Sequence, residues 1–308
     1  MNLRLSLTST LLVLAAGAPH AAAASCDRAC LKKTLDSYLG AVLKHDPSKA
    51  PLDAAFRYTE NAEVVRPGEG LWKTATALGK VQRRYVDAVN GQAVYFGHIE
   101  QGSEAGIATL RIRVVNQKIT EGELVIGRPA DGMFSAEGLV ANAPPEAPVA
   151  KAARSSRKAM VAAAQSYFNG IERHDSSVVL GQKGCVRIEN GVMTAGPVPQ
   201  PDAPSPAETS GPPVKGDCGS RMETFKATIA AVDHRRFPVV DEEAGTVLGM
   251  VVFNRPPGAK RANGTPFPRN LLTELFVIEN GRIRGIYAAM HYLVPENSDA
   301  PGWPVSAN

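Results

Sequence analysis

The sequence predicts an α+β fold made of two tandem cone-shaped barrels, each with helices packed on a curved antiparallel sheet. Two observations carry this expectation: a repeat running through the chain, and a switch from helical to alternating periodicity inside each copy. Ser37-Tyr-Leu-Gly-Ala-Val-Leu-Lys-His45-Asp46 returns as Ser166-Tyr-Phe-Asn-Gly-Ile-Glu-Arg-His174-Asp175, 129 positions on. The same offset places Glu60-Asn61 on Glu189-Asn190. Glu104-Ala-Gly106 matches Glu243-Ala-Gly245, and Asn116-Gln-Lys-Ile119 matches Asn280-Gly-Arg-Ile283, both at larger offsets. The growing offset locates insertions in the second copy. They coincide with two proline-rich stretches, Gly196 to Pro213 and Arg255 to Pro268, where missing backbone donors rule out helix and central strand.

The elements follow in order. Residues 1–25 read as a signal peptide: Arg4, an uncharged apolar run from Leu5 to Ala16, then small residues to Ser25. That run is too short for the roughly 20 residues of a membrane-spanning helix. Ala23 stands where a lipoprotein site usually has a larger aliphatic, so a soluble periplasmic or secreted protein is expected rather than a lipoprotein. The first domain is expected over 26–128, a linker over 129–156, the second domain over 157–295 and a tail over 296–308. Leu31, Leu35, Tyr38, Leu39 and Val42 fall on one helix face, as do Met160, Ala164, Tyr167, Phe168 and Ile171 in the second copy. A short strand follows each helix (Phe56 to Thr59; Val186 to Glu189), and then a second helical stretch, about Ala75 to Asn90 and Met222 to Val232. Strands are expected over Ala93 to Glu100, Gly106 to Val115 and Lys118 to Ile126. Their counterparts are Arg235 to Val240, Thr246 to Phe253, Leu271 to Ile278 and Arg282 to His291, with turn residues at the joins.

The net charge of +4 is too small, and its basic residues too dispersed, to indicate nucleic acid. No later segment approaches a membrane span. Cys26, Cys30, Cys185 and Cys218 are the only cysteines, and an even number in an exported chain points to disulfides. Of the three possible pairings, Cys185–Cys218 with Cys26–Cys30 is favoured, the first because it would tie down an irregular loop. No metal site is expected, because no Cys or His pair has finger-like spacing. No phosphate loop, nucleophile elbow or His-Glu-x-x-His motif occurs, which argues against nucleotide enzymes, serine hydrolases and zinc proteases.

The order of elements resembles the fold shared by ketosteroid isomerase, nuclear transport factor 2 and the SnoaL-like polyketide cyclases. The residues that carry the resemblance are the helix ending in His45-Asp46, the strand through Tyr58-Thr-Glu-Asn61, and the closing meander of each copy. Cys26-Asp-Arg-Ala-Cys-Leu31, Gly68-Glu-Gly-Leu-Trp72 and Arg235-Arg-Phe-Pro-Val-Val-Asp-Glu-Glu243 are similar to an uncharacterised SnoaL-related family of secreted bacterial and fungal proteins. The resemblance implies cofactor-independent chemistry or ligand binding. No catalytic residue of ketosteroid isomerase aligns, and none is transferred.

Within that frame Glu60 and Glu189, at strand ends beside the expected cone mouths, are candidate general bases, with Asn61 and Asn190 beside them. His98 is a third catalytic candidate. Trp72, with Tyr58, Tyr85 and Tyr95, could line a pocket for a flat ligand. Arg84, Arg187, Arg235 and Arg236 could grip a carboxylate or enolate, and His291 lies on the last strand. His45-Asp46 and His174-Asp175 read instead as helix ends. The expected function is an exported lyase, isomerase or dehydratase without cofactor, acting on a small apolar or aromatic molecule. The alternative is a secreted, non-catalytic ligand-binding or structural protein. The expected partners are a small-molecule ligand and, within the chain, the other domain as a pseudo-dimer.

Overall fold

The computed structural model describes residues 26–196, 214–261, 264–293 and Trp303; the expected signal peptide and most of the first proline-rich insertion lie outside them. The first half begins with α1 (Arg28–Leu43), capped by Asp27, whose carboxylate accepts from the Cys30 amide at 2.9 Å. Its buried face is the expected one, Leu31, Leu35, Tyr38, Leu39 and Val42 with Ala41. His45 ends it in left-handed backbone (φ 54°), and the Asp46 carboxylate accepts from the Ser48 amide. There follow β1 (Leu52–Glu60), β2 (Glu63–Val64), α2 (Leu71–Thr74), β3 (Ala77–Asp87), β4 (Gln92–Gln101), β5 (Glu104–Val115) and β6 (Lys118–Gly127). After α3 (Ala136–Ala141) the second half repeats the order: α4 (Arg157–Arg173), β7 (Gly181–Glu189), β8 (Val192–Gly196), β9 (Val214–Lys215), β10 (Ala231–Asp241), β11 (Thr246–Asn254), β12 (Asn270–Glu279) and β13 (Arg282–Tyr292).

The tandem cone-shaped α+β barrels are not what the chain forms. Strands dominate, in one sheet of six (β2-β1-β6-β5-β4-β3) and one of seven (β9-β8-β7-β13-β12-β11-β10), and each half has a single long helix. Both sheets are open and mixed, since β1 pairs with β6, and β7 with β13, in parallel. The helix expected over Ala75 to Asn90 is strand β3. Its register shifts between Leu78 and Gln82, and the bulge puts Val81, Tyr85 and Val86 at spacings that imitate a helical stripe. The stretch from Met222 is a short 3-10 segment to Ala227, followed directly by β10. Both expected disulfides, Cys26–Cys30 and Cys185–Cys218, are present. They are compatible with an extracellular or secreted protein, and no helix among the described residues is long and apolar enough to cross a membrane.

Each sheet lays one face against its own helix and the other against the opposite sheet. One apolar cluster joins α1 to Tyr58, Tyr95, Leu110 and Leu124, and a second joins α4 to Val247, Leu272, Phe276 and Ile286. The third is shared: Val81, Tyr85, Phe96 and Val125 meet Val239, Leu248, Leu275 and Tyr287. This arrangement explains why β11 and β12 are buried along nearly their whole length and read as continuous apolar runs despite being antiparallel.

Equivalent residues meet across this contact, as at a two-fold axis. The Thr273 and Thr109 hydroxyls are 2.6 Å apart and fully buried. Arg28 at the start of α1 grips Asp241 at the end of β10 (2.7 and 3.1 Å), and Asp241 also accepts from the Val86 amide. Reciprocally, Arg157 at the start of α4 grips Asp87 at the end of β3, which accepts from the Val240 amide. An arginine in the first turn opposes the helix dipole; the aspartate of the other half offsets that cost. Arg236 adds a bidentate pair to buried Glu123, which Arg111 also holds.

Removing either aspartate strands a backbone amide and a guanidinium at the contact. Asp87→Ala and Asp241→Ala should each lower stability by about 3 kcal/mol in urea titrations followed by circular dichroism and tryptophan fluorescence. Both probes should move together; separate transitions would show that the halves unfold independently.

Candidate functional site

In the second half, alternation along β7 turns Arg187 and Glu189 toward α4, because Ile188 between them faces the opposite sheet. On β12, Glu274 lies between Leu272 and Phe276 in the pattern, and so on the same face. Ala288 of β13 pairs with Glu274 on one side and Glu189 on the other. The two acids therefore stand in one row two strand spacings apart, roughly 10 Å between backbones, with only a methyl group between them.

Arg187 is held on several sides. Its Nε donates to Thr194 Oγ1 at 2.8 Å and lies 3.5 Å from Glu189 Oε2; Nη1 donates to Tyr167 Oη at 3.2 Å; and its guanidinium stacks over Phe225. Burial alone would weaken its charge, but Tyr167 and Glu189 more than offset this and raise its pKa. Glu274 has no such support. It is fully buried and neither carboxyl oxygen has a hydrogen-bond partner. Burial, reinforced by Glu189 and opposed by Arg187, pushes its pKa well above the carboxylate range and favours the protonated form.

A cleft of about 690 Å³ opens at the end of β13, between residues 128–131 and the loop leading into β12. Phe267 and Tyr292 line it, and both pack on the apolar cluster that surrounds the Glu274 face. Under Phe267, 3.9 Å from the ring centroid, sits the Arg255 guanidinium, which donates to the carbonyls of Pro268 and Thr228 and to Asn270 Oδ1. Burial lowers the Arg255 pKa to about 10, while Tyr292 and Glu189 act to raise it. Arg255 thus sits behind the Phe267 wall of the cleft, where the charge of Glu189 still reaches it. At the rim, His291 Nδ1 stands 3.0 Å from Asp131 Oδ1, close enough for an ion pair although not aligned as a hydrogen bond.

The first half has no comparable centre. At the positions of Tyr167, Arg187, Glu189 and Glu274 it holds Tyr38, Tyr58, Glu60 and Leu110. Both Glu60 oxygens are engaged, one by the Leu71 amide at 2.7 Å and one by Arg128 at 2.8 Å. Gly70 permits this approach, since a Cβ there would meet Glu60 Oε2 at 2.4 Å. Trp72 is fully buried, edge-on to Tyr38, with its carbonyl 2.6 Å from His45 Nδ1. Tyr58 stacks on Phe56. Glu60 is an anchor, and these aromatics are core.

The other sequence candidates are also placed structurally. Asn61 and Asn190 sit in left-handed backbone, and each exchanges two hydrogen bonds with the closing strand, at Ile126 and Met290 respectively. His98 is buried toward the opposite sheet, where burial lowers its pKa. The Tyr95 hydroxyl bonds the His98 carbonyl, and Tyr85 packs between the sheets. Arg84 pairs with Asp36, Arg235 with Glu172, and Arg236 with Glu123 in the contact between halves. Arg187 and Glu189 come together in the second half, with His291 at the cleft, while in the first half Tyr58 meets Glu60 and Arg84 lies over the Tyr95 ring. Glu274 and Arg255 were not among the sequence candidates. The signal for Glu274 was a lone acid in Leu271-Leu-Thr-Glu-Leu-Phe-Val-Ile278, a strand otherwise apolar enough to be buried on both faces.

Residues 153–290 match the model of a family described as a domain of unknown function (DUF8021). No curated protein matches the chain. Among solved structures, one described as the crystal structure of a protein from Sphaerobacter thermophilus is 14% identical, covering 44% of this chain and 95% of that one, with a TM-score of 0.28. A likeness that slight bears on neither fold nor chemistry.

Glu274 supplies a measurable signature. As pH rises past the ordinary carboxylate range, the unfolded chain loses this proton while the folded chain keeps it, so folding weakens with rising pH. Glu274→Gln, permanently neutral, removes that loss. Its stability advantage over the parent should grow from near zero at pH 4 by up to about 1.4 kcal/mol per pH unit within the window, read from urea midpoints between pH 4 and 8. A constant difference would mean that Glu274 is ionised in the fold.

Proposed function

We propose that the second half is a cofactor-independent proton-transfer site for a small apolar or aromatic carbonyl compound, with the first half as its scaffold. The observation that carries this reading is the contrast between two acids in one buried row: Glu189 beside Arg187, and Glu274 neutral with both oxygens unpartnered. A buried unpartnered carboxyl costs stability, and a ligand that accepts its proton would supply the missing bond. Paired acids in contrasting environments divide into base and acid. Glu189 takes a proton α to the carbonyl, and Glu274, with Arg187 near, donates toward the oxygen where charge develops. Keto–enol isomerisation and dehydration of a β-hydroxy carbonyl compound both begin with that step. The disulfides, together with the leader expected over residues 1–25, support export to the periplasm or beyond.

The test is hydrogen–deuterium exchange into the α-position of a panel of aryl and alicyclic ketones, followed by NMR with the full mature chain. Glu189→Gln and Glu274→Gln should each slow exchange by about 100-fold or more, while Glu60→Gln retains it. Equal exchange by folded Glu189→Gln and Glu274→Gln would remove the acids from the chemistry. Absence of exchange in the parent would favour the second reading, a secreted binding protein, which the surface position of the cleft favours.

A further inference from the structure

The buried arginines of this protein follow a rule with one exception. Arg111 and Arg236 hold Glu123, and Arg187 lies against Glu189, as expected of cations removed from water. Arg255 makes its three hydrogen bonds to two carbonyls and one amide oxygen. Among the described residues no carboxylate lies within ion-pair distance of it, nor of Arg261 or Arg269, which line the cleft. Arg261 lies over the rings of Tyr292 (4.7 Å) and Phe267 (5.8 Å), so its planar fork is already oriented. The described acid of the cleft, Asp131, is occupied by the Arg128 and Tyr292 amides and by His291.

The origin of this charge is also informative. β4 and β5 are joined directly after Gln101, whereas β11 and β12 are separated by the stretch from Arg255 to Arg269. The insertion peculiar to the second half therefore brings in Arg255, Arg261, Phe267 and Arg269 together, placing positive charge and aromatic surface at the cleft.

We infer that the cleft takes an organic anion, a flat apolar body bearing a carboxylate, with the body laid against Phe267 and Tyr292 and the carboxylate on Arg261 and Arg269, both of which line the cleft. A carboxylate matches the guanidinium fork in two parallel hydrogen bonds. This deepens the proposed function by naming its substrate class as carbonyl compounds that also carry a carboxylate, and it rests on that reading only for the link to catalysis.

The experiment compares 2-naphthoate with its neutral isostere 2-naphthamide by titration calorimetry on the full mature chain at low and high salt. The naphthoate should bind about tenfold more tightly at low salt and lose that advantage as salt rises, whereas inorganic phosphate, which has no apolar body, should not compete at equal concentration. Arg261→Gln should remove the preference for naphthoate while leaving naphthamide binding unchanged. Arg269→Gln, at the other cleft-lining guanidinium, gives a second reading if Arg261→Gln unfolds the loop. Naphthoate binding by a parent chain that shows no α-exchange would overturn the proton-transfer reading and leave this inference standing, so the two failures are distinguishable. Equal affinity for the two probes, no measurable naphthoate binding, or an unchanged preference in Arg261→Gln would overturn the inference.

Discussion

The structure depends on the apolar contact between its two sheets. A mixed six-stranded sheet with one helix covers only one of its faces, and the uncovered face of each half is too apolar to stand in water. Val81, Tyr85 and Phe96 on one side and Val239, Leu248 and Leu275 on the other form a core that belongs to neither half alone. At about 25 cal/mol per Å² of apolar surface removed from water, such a face outweighs the polar bonds around it. Those bonds set the register: the threonine pair at the axis and the exchanged Arg–Asp clamps at the edges admit one alignment.

That contact also determines where function can reside. Each sheet has its inner face closed by the other, so a site must form on the helix side or at a sheet end. In the first half the helix side is closed by Trp72, Tyr38 and Phe56, and its acid is tied to backbone and Arg128. In the second half Arg187 and Glu274 stand where the first half has Tyr58 and Leu110, and an inserted loop forms the wall of a cleft at the strand ends. The two halves share a topology and differ in the polarity of their interiors.

Much of the architecture was legible in the sequence, and the reasons are local. The apolar stripes of α1 and α4, the meander strands and the Cys26–Cys30 bridge are fixed by residues near one another in the chain, whereas Cys185–Cys218 spans 33 positions and is favoured in the sequence because it would tie down an irregular loop. The β3 strand was not legible, because a bulge after Leu78 breaks its alternation and leaves a helical spacing in its place. Barrel closure was misjudged because, although the two halves were expected to pair, nothing in either repeat shows that the sheets stay open and close each other's free faces instead of curling on themselves. At the site, Glu189 and Arg187 could be named because the repeat marks the strand that carries them. Glu274 could not, because the chain alone does not show that β12 is buried on both faces, and only that burial makes one acid in the run exceptional.

The Cys26–Cys30 bridge closes a loop around Arg28, the first residue of α1 and the one that reaches across to Asp241. Arg157, which makes the mirror-image contact, has no covalent support beside it. The two ends of the molecule therefore respond differently to reducing surroundings. Thiol exchange at one end would loosen the entry to α1 and its grip on the opposite half, and leave the other end as it was. The thiol chemistry of the compartment thus bears on one side of the joint only.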